Sequence, residues 1–461
     1  MYIHSFIYGR IPIEIWEIPA MLMLLLVVAI FGKRLEQRHR ILNPHYRYFT
    51  WGLQAKIFGG LFFGCIYVFY YKHGDSTGYY ECAIAFTKLF HYDFPAFFKA
   101  YFGPGTIEIK SLFTSQTGEP MMYMFGEDKA RFVIKLVVPF LLVTGGSYFL
   151  STALIAIVTY SGLWRLYKMF VSHFPEQSRS LAIAILFMPS VICWGSGILK
   201  DSFTLAATCH FIVATNNLIS KKGSVLGNWL LLLTAGFFVL SIKAYILIIL
   251  LPGTFIWYFY DAILRIRNQL LRAMVVPFTY AVIIGGSYGT LSLLGDRLGR
   301  FSIDQALETA AITNRDLKKD YYEGNSFDIG DFDPSLSGVV SKIPAATVAG
   351  LFRPFVWDAK NVVMMLSGLE NLFILAMTLI VLFSVKPRVL MRVVMGNPVI
   401  LYCLFFSLLF AFMTGLTTPN FGALVRFKIP LIPLYMSAIM VLFGQLKAIR
   451  IYEGRDRRLI F

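Results

Sequence analysis

Long apolar runs recur from one end of the chain to the other, with short polar segments between them. A helix that crosses the roughly 30 Å hydrocarbon core of a bilayer needs about 20 apolar residues. By that measure the pattern predicts about eleven spans, near residues 18–32, 52–71, 133–164, 180–198, 202–219, 228–241, 244–260, 273–294, 362–384, 397–415 and 429–446. We therefore expect an all-α fold, a polytopic transmembrane helical bundle in which 1–461 form a single transmembrane domain. The third run is too long for one straight helix, and its Gly145-Gly146 predicts a break.

Two polar segments are much longer than the others, and their charges set them apart. Residues 72–131 carry seven acids and six bases, and residues 295–345 carry nine acids and six bases. Every second connection is instead strongly basic, as in KRLEQRHRILNPHYR after the first span and in the tail 447–461. Because basic residues collect on the cytoplasmic side, the tail is expected to be cytoplasmic and the N-terminus extracytoplasmic. Residues 72–131 and 295–345 become the first and second extracytoplasmic loops of a multi-pass protein of the cell inner (plasma) membrane.

The first of these loops has the pattern of interfacial helices. YYECAIAFTKLF and FPAFFKAYF alternate aromatic bulk with single charges, which is typical of short amphipathic helices that lie on a membrane surface. The second loop begins as a helical pattern and continues into EGNSFDIGDFDPS, an irregular acidic turn.

Composition agrees with a membrane protein and narrows the classes of partner. The 461 residues are 57% hydrophobic and 15% charged, whereas a soluble domain carries about 25% charged residues. The net charge of +16 is explained by basic cytoplasmic connections, and no basic segment is long enough to bind nucleic acid. The five cysteines include no CxxC pair, so neither disulfides nor a metal cluster is predicted.

The candidate chemistry comes from charged residues at the outer ends of spans. Asp75 follows the second span directly and is expected either to cap the next helix or to act as a general base at the mouth of a cleft. Lys200 and Asp201 lie between two spans, as an interfacial pair or as substrate ligands. Since adjacent residues diverge on a helix, each should meet a different partner. Lys243, in a similar outward connection, either snorkels to headgroups or binds substrate.

A second group of charges lies in the C-terminal third. Arg353 precedes the ninth span, and Glu370 lies about 12 Å into it at roughly 1.5 Å per residue. A carboxylate at that depth needs a reason, which is either a structural ion pair or a ligand. Arg426 and Lys428 are bases on the side where the positive-inside rule disfavours them, so they are expected to meet an anion, either a protein carboxylate or a phosphate.

Together these residues predict an outward cleft that suits an amphiphile with an anionic head. The lipid tail would lie between helices while cations hold its phosphate, with Asp75 as the catalytic residue. The predicted substrate-binding residues are Lys200, Asp201, Lys243, Arg353, Glu370, Arg426 and Lys428. No metal ligand is predicted. Asp328, Asp331 and Asp333 lack the further ligands and spacing of a calcium loop, so no cofactor is expected, although a divalent metal stays possible.

The layout resembles the glycosyltransferase C superfamily of integral membrane enzymes. The resemblance lies in a span that leads into an outward loop opening with Asp75, followed by surface helices and compact hairpins, although the family's loop follows the first span rather than the second. PSVICWGSGILKDSFT and NFGALVRFKIP are also similar to stretches of bacterial envelope-polysaccharide membrane proteins. The resemblance implies a glycosyltransferase with Asp75 as the family's acidic residue. It would use a polyprenyl-phosphate sugar donor and a glycan or lipid acceptor, and would invert the anomeric centre.

Two alternatives stay open. An O-antigen-type polysaccharide polymerase would use lipid-diphosphate glycans and depend chiefly on Arg353 and Arg426. A transporter or flippase of lipid-linked sugars would move its substrate without forming a bond, and its charges would line a path to both faces. In this sequence the charges do not continue inward past Glu370, which disfavours transport.

Overall fold

A computed structural model describes residues 5–8, 11–265, 326–330 and 336–458, with positions 274, 312 and 314. The chain divides into two compact units, Met1–Ala244 and Tyr245–Phe461. The regular elements in the described ranges are helices and one antiparallel strand pair, Ser5–Tyr8 (β1) with Ile11–Glu14 (β2), in which Ser5 pairs with Glu14 and Tyr8 with Ile11. The predicted all-α class is therefore confirmed.

The first unit contains eleven described helices and the first part of a twelfth. They are α1 (Glu17–Arg40), α2 (Phe49–Cys65, continued by a π-helical turn Ile66–Tyr71), α3 (Asp75–Tyr92), α4 (Phe94–Phe102), α5 (Ile107–Lys110), α6 (Met122–Phe125), α7 (Asp128–Val143), α8 (Tyr148–His173), α9 (Ser178–Leu186), α10 (Pro189–Cys193), α11 (Lys200–Ile219) and α12 (Val225–Leu264). In α12 the backbone of Lys243 is non-helical, with φ −141° and ψ 73°, and the boundary between the units lies one residue beyond it.

The described helices of the second unit follow the end of α12. They are α13 (Leu336–Ser341), α14 (Ile343–Phe352), α15 (Val362–Ser384), α16 (Pro387–Met395), α17 (Pro398–Thr417), α18 (Phe421–Phe427) and α19 (Leu431–Arg458). Helix α16 has no buried residue, whereas α17 and the first half of α19 are largely buried.

Seven helices in the described ranges are long and apolar enough to cross a membrane. They are Glu17–Arg40, Pro44–Tyr71, Tyr148–His173, Val225–Tyr260, Val362–Ser384, Pro398–Thr417 and Leu431–Ile449. The predicted span 273–294 and most of the predicted loop 295–345 lie outside the described residues.

The number of spans predicted from the sequence is larger than seven for physical reasons. The run 180–198 is divided into α9 and α10, the run 202–219 forms α11, which is not among the seven, and the runs 228–241 and 244–260 share α12.

The predicted break at Gly145-Gly146 is confirmed. Helix α7 ends at Val143 and α8 begins at Tyr148. Between them both glycines have positive φ, 62° and 88°, a region that side chains with a Cβ rarely adopt. The carbonyl of Gly146 accepts a hydrogen bond from the Tyr80 hydroxyl (2.9 Å), which ties this turn to helix α3.

The segment 72–131 contains helices α3 to α6 and the start of α7. Most of α3 is buried against α7 in an apolar core. Helix α4 instead exposes Phe94, Phe98 and Phe102 along one face. It is therefore α4 that best matches the predicted interfacial helix.

Candidate functional site

The start of α3 is built to present Asp75 on the surface. The π-helical end of α2 is followed by Lys72 in a left-handed conformation (φ 61°) and by Gly74 at φ 140°. A Cβ on Gly74 would lie 2.7 Å from the Tyr67 ring, so glycine is required there by space as well as by backbone. Asp75 then begins the helix and is exposed. The N-cap position belongs to Gly74, and Asp75 is the acidic first residue of the helix.

The residues after Asp75 hold this turn in place. The Ser76 hydroxyl is buried and lies 2.7 Å from the Tyr148 hydroxyl at the start of α8. The Thr77 hydroxyl donates a hydrogen bond to the Gly74 carbonyl (2.9 Å). Asp75 is therefore an exposed carboxylate on a fixed backbone.

The start of helix α11, like that of α3, is held in place by side-chain hydrogen bonds. In its first turn, the Ser202 hydroxyl donates to the Gly197 carbonyl (2.6 Å). The fully buried ammonium of Lys56, in α2, donates to the Gly195 carbonyl (2.5 Å) and to the Ser196 hydroxyl (3.2 Å). Lys56 was missed in the sequence, where it is a single basic residue inside an apolar run. Its position shows that this lysine fixes the turn that leads into α11.

Lys200 and Asp201, the first residues of α11, bind different partners, as their adjacency predicted. The Lys200 ammonium lies 3.1 Å from the Glu127 carboxylate, which is half exposed, and 6.0 Å from the centre of the Tyr79 ring. The Asp201 carboxylate is buried and lies 2.5 Å from the Lys243 ammonium, which is also buried. The outer pair is thus accessible to a ligand, whereas the inner pair is enclosed by protein.

Tyr79 connects Asp75 to this pair. Residues four apart lie on the same face of a helix, so Asp75 is one turn from Tyr79 on the side of α3 that approaches Lys200. Asp75 thus lies one helical turn from the residue whose ring faces the Lys200–Glu127 pair, and we call Asp75, Glu127 and Lys200 the acid–base cluster of the first unit. The cluster has an exposed carboxylate that can accept a proton and an ammonium that can bind an anion.

An apolar cavity of about 380 Å³ opens in the same unit. Its walls come from α1 and from both sides of the α7–α8 break, and they are Trp16, Ala20, Leu24, Val143, Thr144, Gly145, Leu150 and Leu154. The hydrogen bond from Tyr80 to Gly146 joins this break to α3, the helix that carries Asp75. The cavity can accommodate part of a hydrocarbon chain.

The second unit holds the other predicted residues, and three of them meet. The Lys428 ammonium is fully buried and donates to the carbonyls of Arg353 (2.9 Å) and Leu351 (3.3 Å) and to Asn371 Oδ1 (2.6 Å). The buried Glu370, next to Asn371 on α15, interacts electrostatically with Lys428. Lys428 is therefore a basic residue near Glu370, of the kind that a structural pair would use.

The guanidinium of Arg353 lies against two aromatic rings. Its central carbon lies 5.1 Å from the centre of the Phe327 ring and 5.5 Å from that of Phe355. Arg426 lies in α18, whose N-cap Asn420 accepts a hydrogen bond from the amide of Ala423 (3.0 Å). Among the described residues, no three His, Cys, Asp or Glu side chains come together as a metal site would require.

Compared with protein-family models, curated proteins and solved structures, the chain matches none.

Proposed function

We propose that this protein is a membrane glycosyltransferase that moves a sugar from a polyprenyl-phosphate donor to an acceptor hydroxyl at the extracytoplasmic face of the inner membrane. The observation that carries the proposal is the exposed carboxylate of Asp75 on a fixed turn, one helical turn from the residue that contacts Lys200. A base for the acceptor and a cation for the leaving phosphate are the two groups that such a transfer requires.

The proposed reaction requires a base and a cation from the protein. Asp75 takes the proton of the acceptor hydroxyl as its oxygen attacks the anomeric carbon. The bond from that carbon to the phosphate oxygen breaks, and the lipid phosphate leaves with the bonding electrons. Lys200 stabilises the charge that develops on this phosphate. Because attack and departure occur on opposite faces of the sugar, the anomeric configuration is inverted.

The apolar surroundings suit a lipid-linked donor. The cavity between α1 and the α7–α8 break is lined almost entirely by apolar groups and is joined to α3 by the Tyr80 hydrogen bond. A prenyl chain in this cavity would lie beside the turn that Tyr80 of α3 holds. The exposed aromatic face of α4 would lie at the headgroups, where aromatic residues are favoured.

The first test is an activity assay with purified protein and synthetic prenyl-phosphate sugars. We expect release of free lipid monophosphate, and an Asp75→Asn variant should lower the rate by about 10²- to 10⁴-fold, the usual contribution of a general base. Asp93→Asn is the matched control. Asp93 caps α4 in the same segment, and asparagine caps equally well, so this variant should keep its activity.

The polymerase is the second candidate, because Arg353 offers a charged guanidinium held by two aromatic rings. With lipid-diphosphate glycans as donor, a polymerase would depend chiefly on Arg353, would release lipid diphosphate, and would tolerate Asp75→Asn, which the transferase would not. Transport of the donor into vesicles with no product of either kind would support the flippase and refute the transferase.

A further inference from the structure

The backbone around Arg353 is held by an unusual number of buried polar contacts. Lys428 donates to the carbonyls of Leu351 and Arg353, and the Asn371 side-chain amide donates to the carbonyl of Pro354 (2.9 Å). Three of four consecutive carbonyls are thus bound by two side chains from other elements. Lys428 and Asn371 are also joined to each other (2.6 Å), so the group forms one connected network.

The network fixes the place from which the Arg353 side chain starts. Helix α14 ends at Phe352, and Arg353 is its extended C-terminal cap (φ −88°, ψ 150°). The carbonyls at a helix C-terminus lack partners within the helix and carry partial negative charge, which the Lys428 ammonium satisfies. Glu370 interacts electrostatically with the same lysine. The Lys428 ammonium is therefore occupied by groups of the protein itself.

The side chain of Arg353, unlike that of Lys428, is not fully buried. Its side chain is only half buried, and its guanidinium lies within cation–π distance of Phe327 and Phe355. Aromatic rings orient a guanidinium but leave its charge in place. A planar, oriented guanidinium with a retained charge is suited to bind a phosphate through its N–H groups.

We propose that Lys428 and Asn371 are positioning residues for Arg353, and that Arg353 is the group in the second unit that binds a prenyl phosphate. Lys428 and Glu370, expected from the sequence to contact the substrate, act instead through the backbone of Arg353. The choice of a lipid phosphate rests on the proposed function, whereas the positioning role rests on the contacts.

The test is a binding measurement that needs no turnover. Trp357 is exposed and stacks on Phe355, with 4.8 Å between ring centres, so its fluorescence should report on a ligand at Arg353. The signal is the difference between the protein and its Trp357→Phe variant in detergent. The probes are farnesyl phosphate, farnesol and inorganic phosphate. We expect farnesyl phosphate to bind best, since farnesol lacks the anion and inorganic phosphate lacks the chain.

A double-mutant cycle then distinguishes positioning from direct contact. Arg353→Gln should weaken binding of farnesyl phosphate about tenfold or more, the usual effect of losing a charged hydrogen bond. The pair Lys428→Met with Glu370→Gln, which removes both buried charges together, should weaken binding by a similar factor. All three changes combined should be no worse than Arg353→Gln alone. If Lys428 bound the phosphate itself, the two losses would multiply, and the proposal would be wrong.

Two controls separate this result from general destabilisation. Tyr260→Phe removes a buried hydrogen bond to a carbonyl, that of Met395 (2.6 Å), in the same unit, and should leave binding unchanged. Arg388→Gln removes an exposed charge on α16 and should also leave the binding of farnesyl phosphate unchanged. Unchanged binding in Arg353→Gln would refute the inference. If the losses of farnesyl phosphate binding were non-additive but the activity assay showed no sugar transfer, the inference would be retained and the proposed function rejected. If inorganic phosphate bound as well as farnesyl phosphate, the lipid would be rejected as the ligand.

Discussion

Three buried charged residues in the described part of the chain contact polar groups of the protein. Lys56 and Lys428 are both 1% exposed, and Asp201 is 2% exposed. The two lysines satisfy carbonyls at the ends of short helices, whereas Asp201 binds the ammonium of Lys243. An unpaired charge in such surroundings would be costly, and these contacts explain how the chain keeps them.

The Asp201–Lys243 pair gives a prediction about stability. Removing one partner leaves a buried charge, so Asp201→Asn or Lys243→Met alone should lower the free energy of unfolding by about 3–5 kcal/mol. The double variant should recover most of that loss because neither charge stays behind. Thermal unfolding in detergent, compared with Lys200→Met at the half-exposed pair, measures the difference. A double variant no more stable than the worse single variant would contradict this account.

The partners of these charges could not be predicted from the sequence. Lys200 and Glu127 are 73 residues apart, and Asp201 and Lys243 are 42 apart, so their pairing depends on tertiary packing. What the sequence did predict correctly is that the adjacent Lys200 and Asp201 diverge. Lys56 was overlooked because a single lysine hardly changes the hydropathy of a long apolar run.

At the scale of helices, the sequence predicts which helices are present better than it predicts where each one begins and ends. Hydrophobic length located the helices that begin at Glu17 and Val362, because length is the property that a bilayer selects. The division between α9 and α10 was missed, since Phe187 and Met188 are as apolar as their neighbours and only Pro189 marks the new start. The helix break at Gly145-Gly146 was predicted correctly, because paired glycines allow backbone conformations that end a helix.

Close packing of α14 on α17 gives a prediction at this scale. A Cβ on Gly350 would lie 2.0 Å from the Ala411 carbonyl oxygen, and one on Gly415 would lie 1.9 Å from that of Ala346. Small residues at such crossings let two backbones approach within a membrane. Gly350→Leu should therefore force the helices apart and lower the unfolding temperature, with a cost of about 1–3 kcal/mol or more.

The matched control for this substitution is Gly227→Ala near the start of α12. There the nearest atom to a new Cβ is Ser224 Cβ at 3.5 Å, and alanine is the better helix former. We expect this variant to be as stable as the parent or slightly more so. An equal loss of stability in both variants would mean that helix packing is not the reason for Gly350.

At the scale of the whole molecule, the described helices have many exposed apolar side chains, including Met23 on α1, Phe58 on α2 and Phe383 on α15. Apolar exposure on this scale is stable only where lipid replaces water. Burial says nothing about which face is outside. That orientation rests on the alternation of basic connections, and the proposed function depends on it.

Cysteine labelling in intact cells tests the orientation. We expect a membrane-impermeant maleimide to label Glu119→Cys, in the segment 72–131, and to reach Lys222→Cys, between α11 and α12, only after permeabilisation. Both positions are exposed. The native Cys82 should stay unlabelled because it is buried and burial raises the pKa of its thiol to about 11, so little thiolate is present near neutral pH. The parent protein supplies the background from the other native cysteines. Labelling of Lys222→Cys but not Glu119→Cys in intact cells would place Asp75 on the cytoplasmic side and rule out an extracytoplasmic transferase.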